Sequence, residues 1–373
     1  MVEDILATLV GFPSVVGTPN GPITDWIVEY CRSHGAVVHV LPGPEGDRAN
    51  LFATIGPADV PGYVLSGHTD VVPATESGWS ADPFTLRCEG DRLYGRGTTD
   101  MKGFLACALA ALPTLAATPL RRPLHLAFSY DEEAGCRGVP HMIAELPKLC
   151  AKPLGVLVGE PSGLQAVLAH KGKAAARLEV RGRSGHSSRP DQGLNAVHAM
   201  VGVLGEAVAE GRALEEGPFD PRFAPPYSTL QVGIIKGGRA LNVIPDHCTA
   251  EVELRAIAGA NPRALLEPLR ARLGALEAEG FSVDWSELSA YPALALSPQS
   301  ALAALMGELT GRPLIEAVSY GTEAGLFQDA DHDAVICGPG DIARAHRPDE
   351  FITRGELEAC LAMILRLGER LRA

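Results

Sequence analysis

The sequence predicts an α/β fold, with a mostly parallel mixed sheet in the main domain and a smaller α+β domain inserted into it. In the first half of the chain, short apolar strands bounded by Gly and Pro alternate with helices. From about Lys173 the order changes to strand–helix–strand–strand–helix, and the alternating pattern returns after about Trp285. The 373 residues also exceed the length at which one hydrophobic core usually stops growing. Together these observations favour two domains.

The main domain is predicted to hold a sheet that is covered by helices on both faces. Its strands are short and apolar, and a helix of good helix formers, 102–117, follows the third of them. The predicted strands are 37–41, 51–55, 63–66, 124–130 and 154–159. Strands that alternate with helices favour parallel pairing, and ligands of such sheets bind at the carboxyl ends of the strands.

The domain boundaries follow from these changes of pattern. We predict that 1–172 and 285–373 form the main domain and that 173–284 forms the inserted two-layer α+β sandwich. Within the insert, we expect strands at 175–181, 229–235 and 249–255 and helices at 194–210 and 262–279.

Two helices near the C-terminus have recognisable end signals. Ser297 and Pro298 predict the start of one helix, and Gly311 predicts its end. Thr353 and Glu356 have the spacing of a capping box, which predicts that the last helix begins there.

Composition and charge exclude several classes of partner. A formal net charge of −13 disfavours nucleic acid, whose phosphates require a basic face, and it suits a site that collects metal cations. The N-terminus has neither the basic start nor the apolar core of a signal peptide. The most apolar stretch, 104–117, contains Pro113 and is too short to span a bilayer. Eight scattered cysteines without a CxxC pair predict reduced, mostly buried thiols, as in a cytoplasmic protein.

Histidines and acids stand at five predicted strand ends or loops. On an extended segment, His68 and Asp70 point to the same side, so Asp70 can orient the imidazole ring as carboxylates do in metal sites. Three glycines surround Asp100 just before the apolar helix, and glycine permits close backbone approaches. The five places are His68 with Asp70, Asp100, the triplet Asp131-Glu132-Glu133, Glu160 and His346.

Each of these motifs alone has an ordinary explanation. His68 and Asp70 could lie in a surface turn, and Asp100 could simply cap the following helix. The three adjacent acids could form a solvated turn, and a single histidine such as His346 is most often structural. Taken together, however, they favour a pair of divalent ions, because imidazole nitrogens and carboxylate oxygens without thiolates are the ligands that such ions bind.

Five sequence blocks, in order along the chain, resemble the signature of the M20 metallopeptidase family. The resemblance runs from about residue 5 to the C-terminus, and it implies a metal-dependent amide hydrolase. Residues 1–172 and 285–373 would then be the catalytic domain, and 173–284 a lid and dimerisation domain. The blocks are GHTDVVP at 67–73, GRGTTDMKG at 95–103, DEE at 131–133, GEPSG at 159–163 and AHRPDEF at 345–351.

Carried over residue by residue, the resemblance implies two zinc ions that are bridged by Asp100. His68 and Glu160 complete the ligands of one ion, and Glu133 and His346 complete those of the other. Cobalt and manganese also suit such ligands.

The resemblance also implies three catalytic residues. Glu132 is the implied general base, and Asp70 the residue that orients His68. His186, in the inserted domain, is expected to stabilise the oxyanion in the active site of a partner subunit, which implies a homodimer formed through that domain.

The segment VSYGTEAGLF at 318–327 resembles the acetylornithine deacetylase branch of the family. The implied reaction is hydrolysis of N2-acetyl-L-ornithine to ornithine and acetate in arginine biosynthesis. Asn242 and Arg255 match positions that contact substrate, with Arg255 on the carboxylate. Glu323 is expected to take part in binding the cationic side chain.

Three other interpretations remain open on the sequence alone. The substrate could be another N-acyl amino acid, such as N-acetylcitrulline or N-succinyl-diaminopimelate. The chain could instead be a dipeptidase or carboxypeptidase of the same architecture. A metal-binding relative without enzymatic activity is disfavoured, because Glu132 is intact beside Glu133.

Overall fold

A computed structural model describes residues 1–372, which form two compact units. The first unit comprises Met1–Ala169, Leu294–Ala317 and Thr322–Ala373, and the second comprises His170–Ala293 and Val318–Gly321. The fold class is α/β with a mixed, mostly parallel central sheet and separate antiparallel sheets, which confirms the predicted class.

Fifteen strands and nine helices are present in the described residues. The strands are β1 Val37–Pro42, β2 Ala49–Ile55, β3 Tyr63–His68, β4 Arg87–Glu89, β5 Arg92–Tyr94, β6 Leu124–Ser129, β7 Gly155–Pro161, β8 Ala169–His170, β9 Gly172–Arg181, β10 Thr229–Gly237, β11 His247–Ala256, β12 Ser282–Tyr291, β13 Leu294–Ala295, β14 Ala334–Gly338 and β15 Phe351–Thr353. The helices are α1 Val2–Val10, α2 Gly21–Ser33, α3 Gly103–Ala116, α4 Val139–Leu149, α5 Ala196–Ala213, α6 Pro262–Gly274, α7 Ala301–Thr310, α8 Ala324–Asp329 and α9 Arg354–Arg372.

The first unit is built on a six-stranded sheet in the order β1-β2-β6-β3-β7-β14. The strands β6, β3, β7 and β14 are parallel, whereas β1 and β2 are antiparallel to their neighbours. Every residue of β6 and β7 is buried, as expected for parallel strands that are covered on both faces. The predicted strands of this domain agree with the observed ones to within a few residues at each end.

The helix α3 lies in the core of the first unit. It begins immediately after the loop that carries Asp100, and nearly all of its side chains are buried. Such complete burial matches its lack of a polar face in the sequence. A rigid, buried helix therefore follows the Asp100 loop directly.

The start signals predicted for α7 and α9 had different outcomes. The capping box is confirmed, because the Glu356 carboxylate accepts the Thr353 N–H at 2.8 Å and the Glu356 N–H donates to the Thr353 hydroxyl. The start predicted at Ser297 is wrong. Ser300 is the N-cap of α7, and its hydroxyl accepts the Ala303 N–H, whereas the Ser297 hydroxyl accepts the Gln299 N–H in the preceding turn.

The second unit has a four-stranded antiparallel sheet in the order β10-β11-β9-β12, with α5 and α6 packed against it. Its last strand, β12, was not predicted, and the return of the alternating pattern after Trp285 is wrong. Polar residues occupy much of β12, so its half-exposed pattern was hidden in the sequence. The second unit consequently extends to Ala293, beyond the predicted boundary at 284.

Two properties bear on the predicted surroundings of the protein. Among the described residues, no helix is both long and apolar enough to cross a membrane. All eight cysteines are free and six of them are buried, which confirms the predicted state of the thiols. The cytoplasmic location stays a prediction.

Candidate active site

The ends of three parallel strands meet at one edge of the central sheet. His68 is the last residue of β3 and pairs in register with Ser129, the last residue of β6. The acidic triplet begins two residues after Ser129, and Glu160 is the penultimate residue of β7 on the other side of β3. Parallel pairing therefore brings side chains together that are far apart in the chain, as the sequence predicted.

The loop before α3 carries Asp100 to the same edge. Gly97, at its start, has a φ of +81°, and a Cβ there would lie 2.6 Å from the Val71 side chain. Asp100 itself has φ −121° and ψ 89°, so the backbone leaves helical geometry at this residue. The peptide bond between Asp100 and Met101 is cis.

The Asp100 carboxylate lies between two histidines. His68 Nε2 is 3.2 Å from Asp100 Oδ1 and 3.6 Å from Glu160 Oε1. His346 Nε2 is 3.2 Å from Asp100 Oδ2 and 3.0 Å from Glu133 Oε1. The two halves of the site are thus alike, each with one histidine, one glutamate and one oxygen of the shared Asp100.

Asp70 contacts His68 through its own backbone oxygen, and its carboxylate binds backbone N–H groups of the acidic turn. The His68 Nδ1 atom is 2.9 Å from the backbone oxygen of Asp70 and 3.6 Å from its carboxylate. The two carboxylate oxygens accept the backbone N–H groups of Glu132 and Glu133, each at 3.1 Å. The sequence predicted that this carboxylate faces His68, but the structure places it chiefly on the acidic turn.

Glu132 reaches into the same cluster from that turn. One ligand atom each of Glu132, His68 and Glu160 lie within 4.8 Å of one another. The Cys136 thiol donates to Glu132 Oε1 at 3.3 Å. Burial raises the pKa of Glu132 to about 8, a shift that the charge on His68 opposes and that on Glu133 reinforces. Without bound cations, the carboxyl group therefore holds its proton more tightly than an ordinary glutamate does.

The other groups have strongly shifted pKa values that reflect crowded negative charge. Burial and the neighbouring Asp100 raise the pKa of Glu160 well above its usual range. Hydrogen bonds to Asp100 and then Glu133 raise the pKa of His346 to about 10. Burial opposes protonation of His68, but the hydrogen bond to Asp100 and the charge on Asp70 raise its pKa overall. Without other cations, the cluster retains protons to balance its charge.

The donor atoms suit divalent metal ions. Two groups of three side chains each offer ligand atoms within 4.8 Å of one another. They combine imidazole nitrogen with carboxylate oxygen and include no thiolate, which matches zinc, cobalt or manganese. The groups are His68 with Glu132 and Glu160, and His68 with Asp100 and Glu133.

Three predicted site residues belong to the second unit. His186 and Asn242 lie in adjacent loops, where the Ser187 N–H donates to the backbone oxygen of Asn242 at 3.1 Å. The His186 Nδ1 atom is 2.8 Å from the Ser188 hydroxyl. Arg255, near the end of β11, donates to Glu253 at 2.8 Å and to the Tyr291 hydroxyl at 3.2 Å. Their predicted roles stay predictions.

Glu323 is buried in the first unit, beneath the ends of β3 and β6. Its carboxylate oxygens accept the hydroxyl groups of Ser66 and Ser129, at 2.6 and 2.8 Å. Burial raises the pKa of Glu323, and the two hydroxyl donors oppose that shift. Because the carboxylate is enclosed and both of its oxygens have donors, the structure does not support the predicted contact with substrate, which stays a prediction.

Two residues of the site were not assigned from the sequence. Glu350 accepts backbone N–H groups of the Asp100 loop, and Cys136 donates to Glu132. Glu350 belongs to the AHRPDEF block, and Cys136 lies three residues after the DEE block. The sequence signal available for Glu350 was an acid within a matching block, four residues after His346.

A histidine–carboxylate cluster at the carboxyl ends of parallel strands, buried on the His68 side and open at His346, is the kind of centre found in metal-dependent hydrolases. The chain belongs to peptidase family M20/M25/M40, whose model matches residues 64–370. It is accordingly a metal-dependent amidohydrolase, as predicted.

Individual relatives support this assignment. The chain is 33% identical over 364 residues to an acetylornithine deacetylase of Photorhabdus laumondii, covering 94% of this chain and 91% of the relative. It is 34% identical over 363 residues to an acetylornithine deacetylase of Klebsiella pneumoniae, covering 94% and 92%. The fold matches an M20 family metallo-carboxypeptidase of Sulfolobus solfataricus with a TM-score of 0.80 at 20% identity, covering 100% of this chain and 99% of that one.

Proposed function

We propose that this chain hydrolyses the amide bond of N-acyl amino acids, and that N2-acetyl-L-ornithine is its preferred substrate. Relatives of nearly full length bear the name acetylornithine deacetylase. The products would be ornithine and acetate, as required in arginine biosynthesis. The main structural support for a metal-dependent hydrolase is the Asp100 carboxylate, which has one oxygen facing each of two histidines.

That arrangement suits two divalent ions, which we propose to be zinc. His68 and Glu160 would hold one ion, and His346 and Glu133 the other, with Asp100 shared between them. When bound, such a pair of ions polarises the amide carbonyl and lowers the pKa of a water molecule toward about 7.

The chain's own proton carrier is Glu132. Its carboxylate lies in the cluster but is additional to the two symmetric ligand sets, so it is available to gain and lose a proton in each cycle. Glu132 would take a proton from the attacking water and pass it to the departing amine. The Asp70 carboxylate and the Cys136 thiol hold Glu132 in place.

Recognition of the α-carboxylate is proposed for Arg255. Lys171 and Arg255 are neighbouring basic side chains: burial and then the charge of Arg255 lower the pKa of Lys171. Two basic groups side by side suit an anionic group. His186 would stabilise the oxyanion in the active site of the partner subunit, and Asn242 would contact the substrate.

A homodimer through the second unit is also proposed. The strand β10 is at the edge of the four-stranded sheet, and its Ile234 and Ile235 are 42% and 52% exposed. Val201 and Val208 of the adjacent α5 are 58% and 50% exposed. An apolar edge strand beside an apolar helix face is typical of a surface that another chain covers.

The dimer can be tested by one substitution and a control. Ile235→Lys should convert a dimer to a monomer in light scattering after gel filtration. Val37→Lys, at the exposed edge of the first unit's sheet, should leave the molar mass unchanged. A wild-type monomer at micromolar concentration would contradict the proposal.

The substrate is tested by steady-state kinetics of metal-loaded protein. We expect the highest kcat/KM for N2-acetyl-L-ornithine, compared with N-acetylcitrulline, N-acetylmethionine and N-succinyl-diaminopimelate. An unacylated dipeptide should be slower than all of the acetylated substrates. A preference for the dipeptide would instead identify a peptidase, and a preference for another acylated substrate would correct the ornithine assignment.

A further inference from the structure

The buried acid Glu350 links the two segments that bring Asp100 and His346 to the site. Glu350 follows His346 by four residues, immediately before β15, and its side chain is 1% exposed. Its Oε1 atom accepts the backbone N–H groups of Thr99 and Asp100, at 2.9 and 3.1 Å. Its Oε2 atom accepts the Gly97 N–H at 3.0 Å. One carboxylate therefore binds three backbone donors of the Asp100 loop.

The Asp100 loop departs from regular helical geometry, so several of its N–H groups need other acceptors. Gly97 is in the left-handed region and Asp100 is not helical. The Thr98 N–H donates to the Gly95 backbone oxygen at 3.2 Å, whereas those of Gly97, Thr99 and Asp100 donate to Glu350. Buried N–H groups are nearly always paired, and a carboxylate is the strongest acceptor that a side chain offers. The loop's shape and the Glu350 carboxylate thus depend on each other.

The Glu350 charge is balanced by a buried arginine. Arg96 donates to Glu350 Oε2 at 2.9 Å and also bonds to Glu76. The guanidinium lies 5.0 Å from the centre of the Trp79 ring. With four N–H donors on its two oxygens, Glu350 has no lone pair directed at the metal-binding cluster, so it is not itself a ligand.

The Glu350 segment is anchored on its other side as well. Its backbone oxygen accepts the Gly95 N–H at 2.9 Å, and the following β15 pairs with β5. The Thr99 hydroxyl donates to the backbone oxygen of Phe351 at 2.7 Å. The segment after His346 and the loop before α3 are therefore joined at several points, and Glu350 is the central one.

We propose that Glu350 is a positioning residue that fixes the Asp100 carboxylate between the two metal ions and keeps the His346 segment in register with it. The inference rests on the proposed metal centre and adds a residue that acts through Asp100. Residues that orient metal ligands usually contribute about 10–100-fold to metal affinity.

The test compares Glu350→Gln with Glu356→Gln. Glutamine has the same size as glutamate. Its NH₂ group, however, would face backbone N–H donors at a position where a carboxylate oxygen of Glu350 accepts their hydrogen bonds. Glu356 lies in the same segment and makes structural hydrogen bonds to Thr353 and Arg344, away from the Asp100 loop.

Metal affinity is measured by chelator competition with zinc, and ligand geometry by the visible absorption of the cobalt form, both without substrate. Circular dichroism and the urea midpoint of the metal-free proteins report folding.

We expect Glu350→Gln to bind metal about 10–100-fold more weakly and to alter the cobalt spectrum. Glu356→Gln should lose stability yet keep the affinity and spectrum of the wild type. Folded Glu350→Gln with wild-type affinity and spectrum would overturn the inference, as would equal losses of affinity in both variants. If Glu350→Gln does not fold, Glu350→Asp, which keeps the charge but shortens the reach, decides by the same two readouts. A wild-type chain that binds no metal would instead overturn the proposed function, and this inference with it.

Discussion

His346 Nε2 lies 3.0 Å from Glu133 Oε1, although 213 residues separate the two in the chain. Glu133 belongs to the turn after β6, and His346 to the loop after β14, at the far edge of the same sheet. The pair forms one half of the candidate centre, and Asp100 joins it to His68 in the other half.

Replacing the proposed base should separate catalysis from metal binding. Glu132→Gln is expected to lower kcat by about 10²–10⁴-fold, the usual contribution of a general base, because glutamine cannot take up the proton. Metal content, measured by elemental analysis, should stay at the wild-type value. Glu369→Gln, an exposed acid on α9, is the control and should leave both unchanged. Near-normal turnover in a metal-replete Glu132→Gln variant would contradict the assignment.

The Asp70 carboxylate should matter for the acidic turn as well as for His68. Asp70→Asn leaves one oxygen for two backbone donors, and the new NH₂ group faces the other N–H. We expect a loss of about 1–3 kcal/mol in the free energy of unfolding of the metal-free protein, since a buried donor loses its partner. Metal affinity should fall by about 10–100-fold. Urea denaturation and chelator competition measure the two effects, and an Asp70→Asn variant equal to wild type in both would show that the contacts are dispensable.

Glu323 offers a direct comparison between a substrate contact and a structural role. Because its oxygens are held by Ser66 and Ser129, we expect Glu323→Gln to lower stability and to change kcat/KM equally for N2-acetyl-L-ornithine and N-acetylmethionine. Ser66→Ala should reproduce a smaller form of the same effect. A rise in KM confined to the cationic substrate would restore the contact with substrate that the sequence predicted.

Acid should destabilise the metal-free protein partly through His125. This residue is buried in β6, stacked on Phe52 with the ring centres 5.1 Å apart, and burial lowers its pKa to about 4. Between about pH 6.5 and 4 the unfolded chain binds a proton that the folded chain does not, so stability is lost as the pH falls through this window.

The His125 effect is measured by urea denaturation in the presence of chelator at pH 7.5 and 4.5. Relative to wild type, His125→Gln should lose roughly 2–3 kcal/mol less of its unfolding free energy between these pH values. His39→Gln, at an exposed position on β1, is the control and should follow the wild type. An identical loss in wild type and His125→Gln would contradict the prediction.

Much of the site was predictable because parallel strands bring their ends together. His68 and the acidic triplet follow apolar strands in the sequence, and their strands are in fact neighbours in the sheet. The convergence of His346 on this edge could not be derived from local pattern, since it depends on the path of the chain over more than two hundred residues; the family resemblance supplied it.

Other features could not be predicted from the sequence, for physical reasons. The role of Glu350 depends on backbone N–H groups in a loop whose conformation no residue pattern specifies. The burial of Glu323 depends on two serine hydroxyls that face one another only once β3 and β6 pair. The strand β12 was missed because its polar residues suit an exposed sheet face as well as a loop.

The central claim is that a pair of metal ions binds on either side of Asp100. Anomalous diffraction at the zinc absorption edge, from crystals of zinc-loaded protein, tests it most directly. We expect two peaks about 3.5–4 Å apart, one beside His68 and Glu160 and the other beside His346 and Glu133. A single peak, or peaks remote from the Asp100 carboxylate, would contradict it.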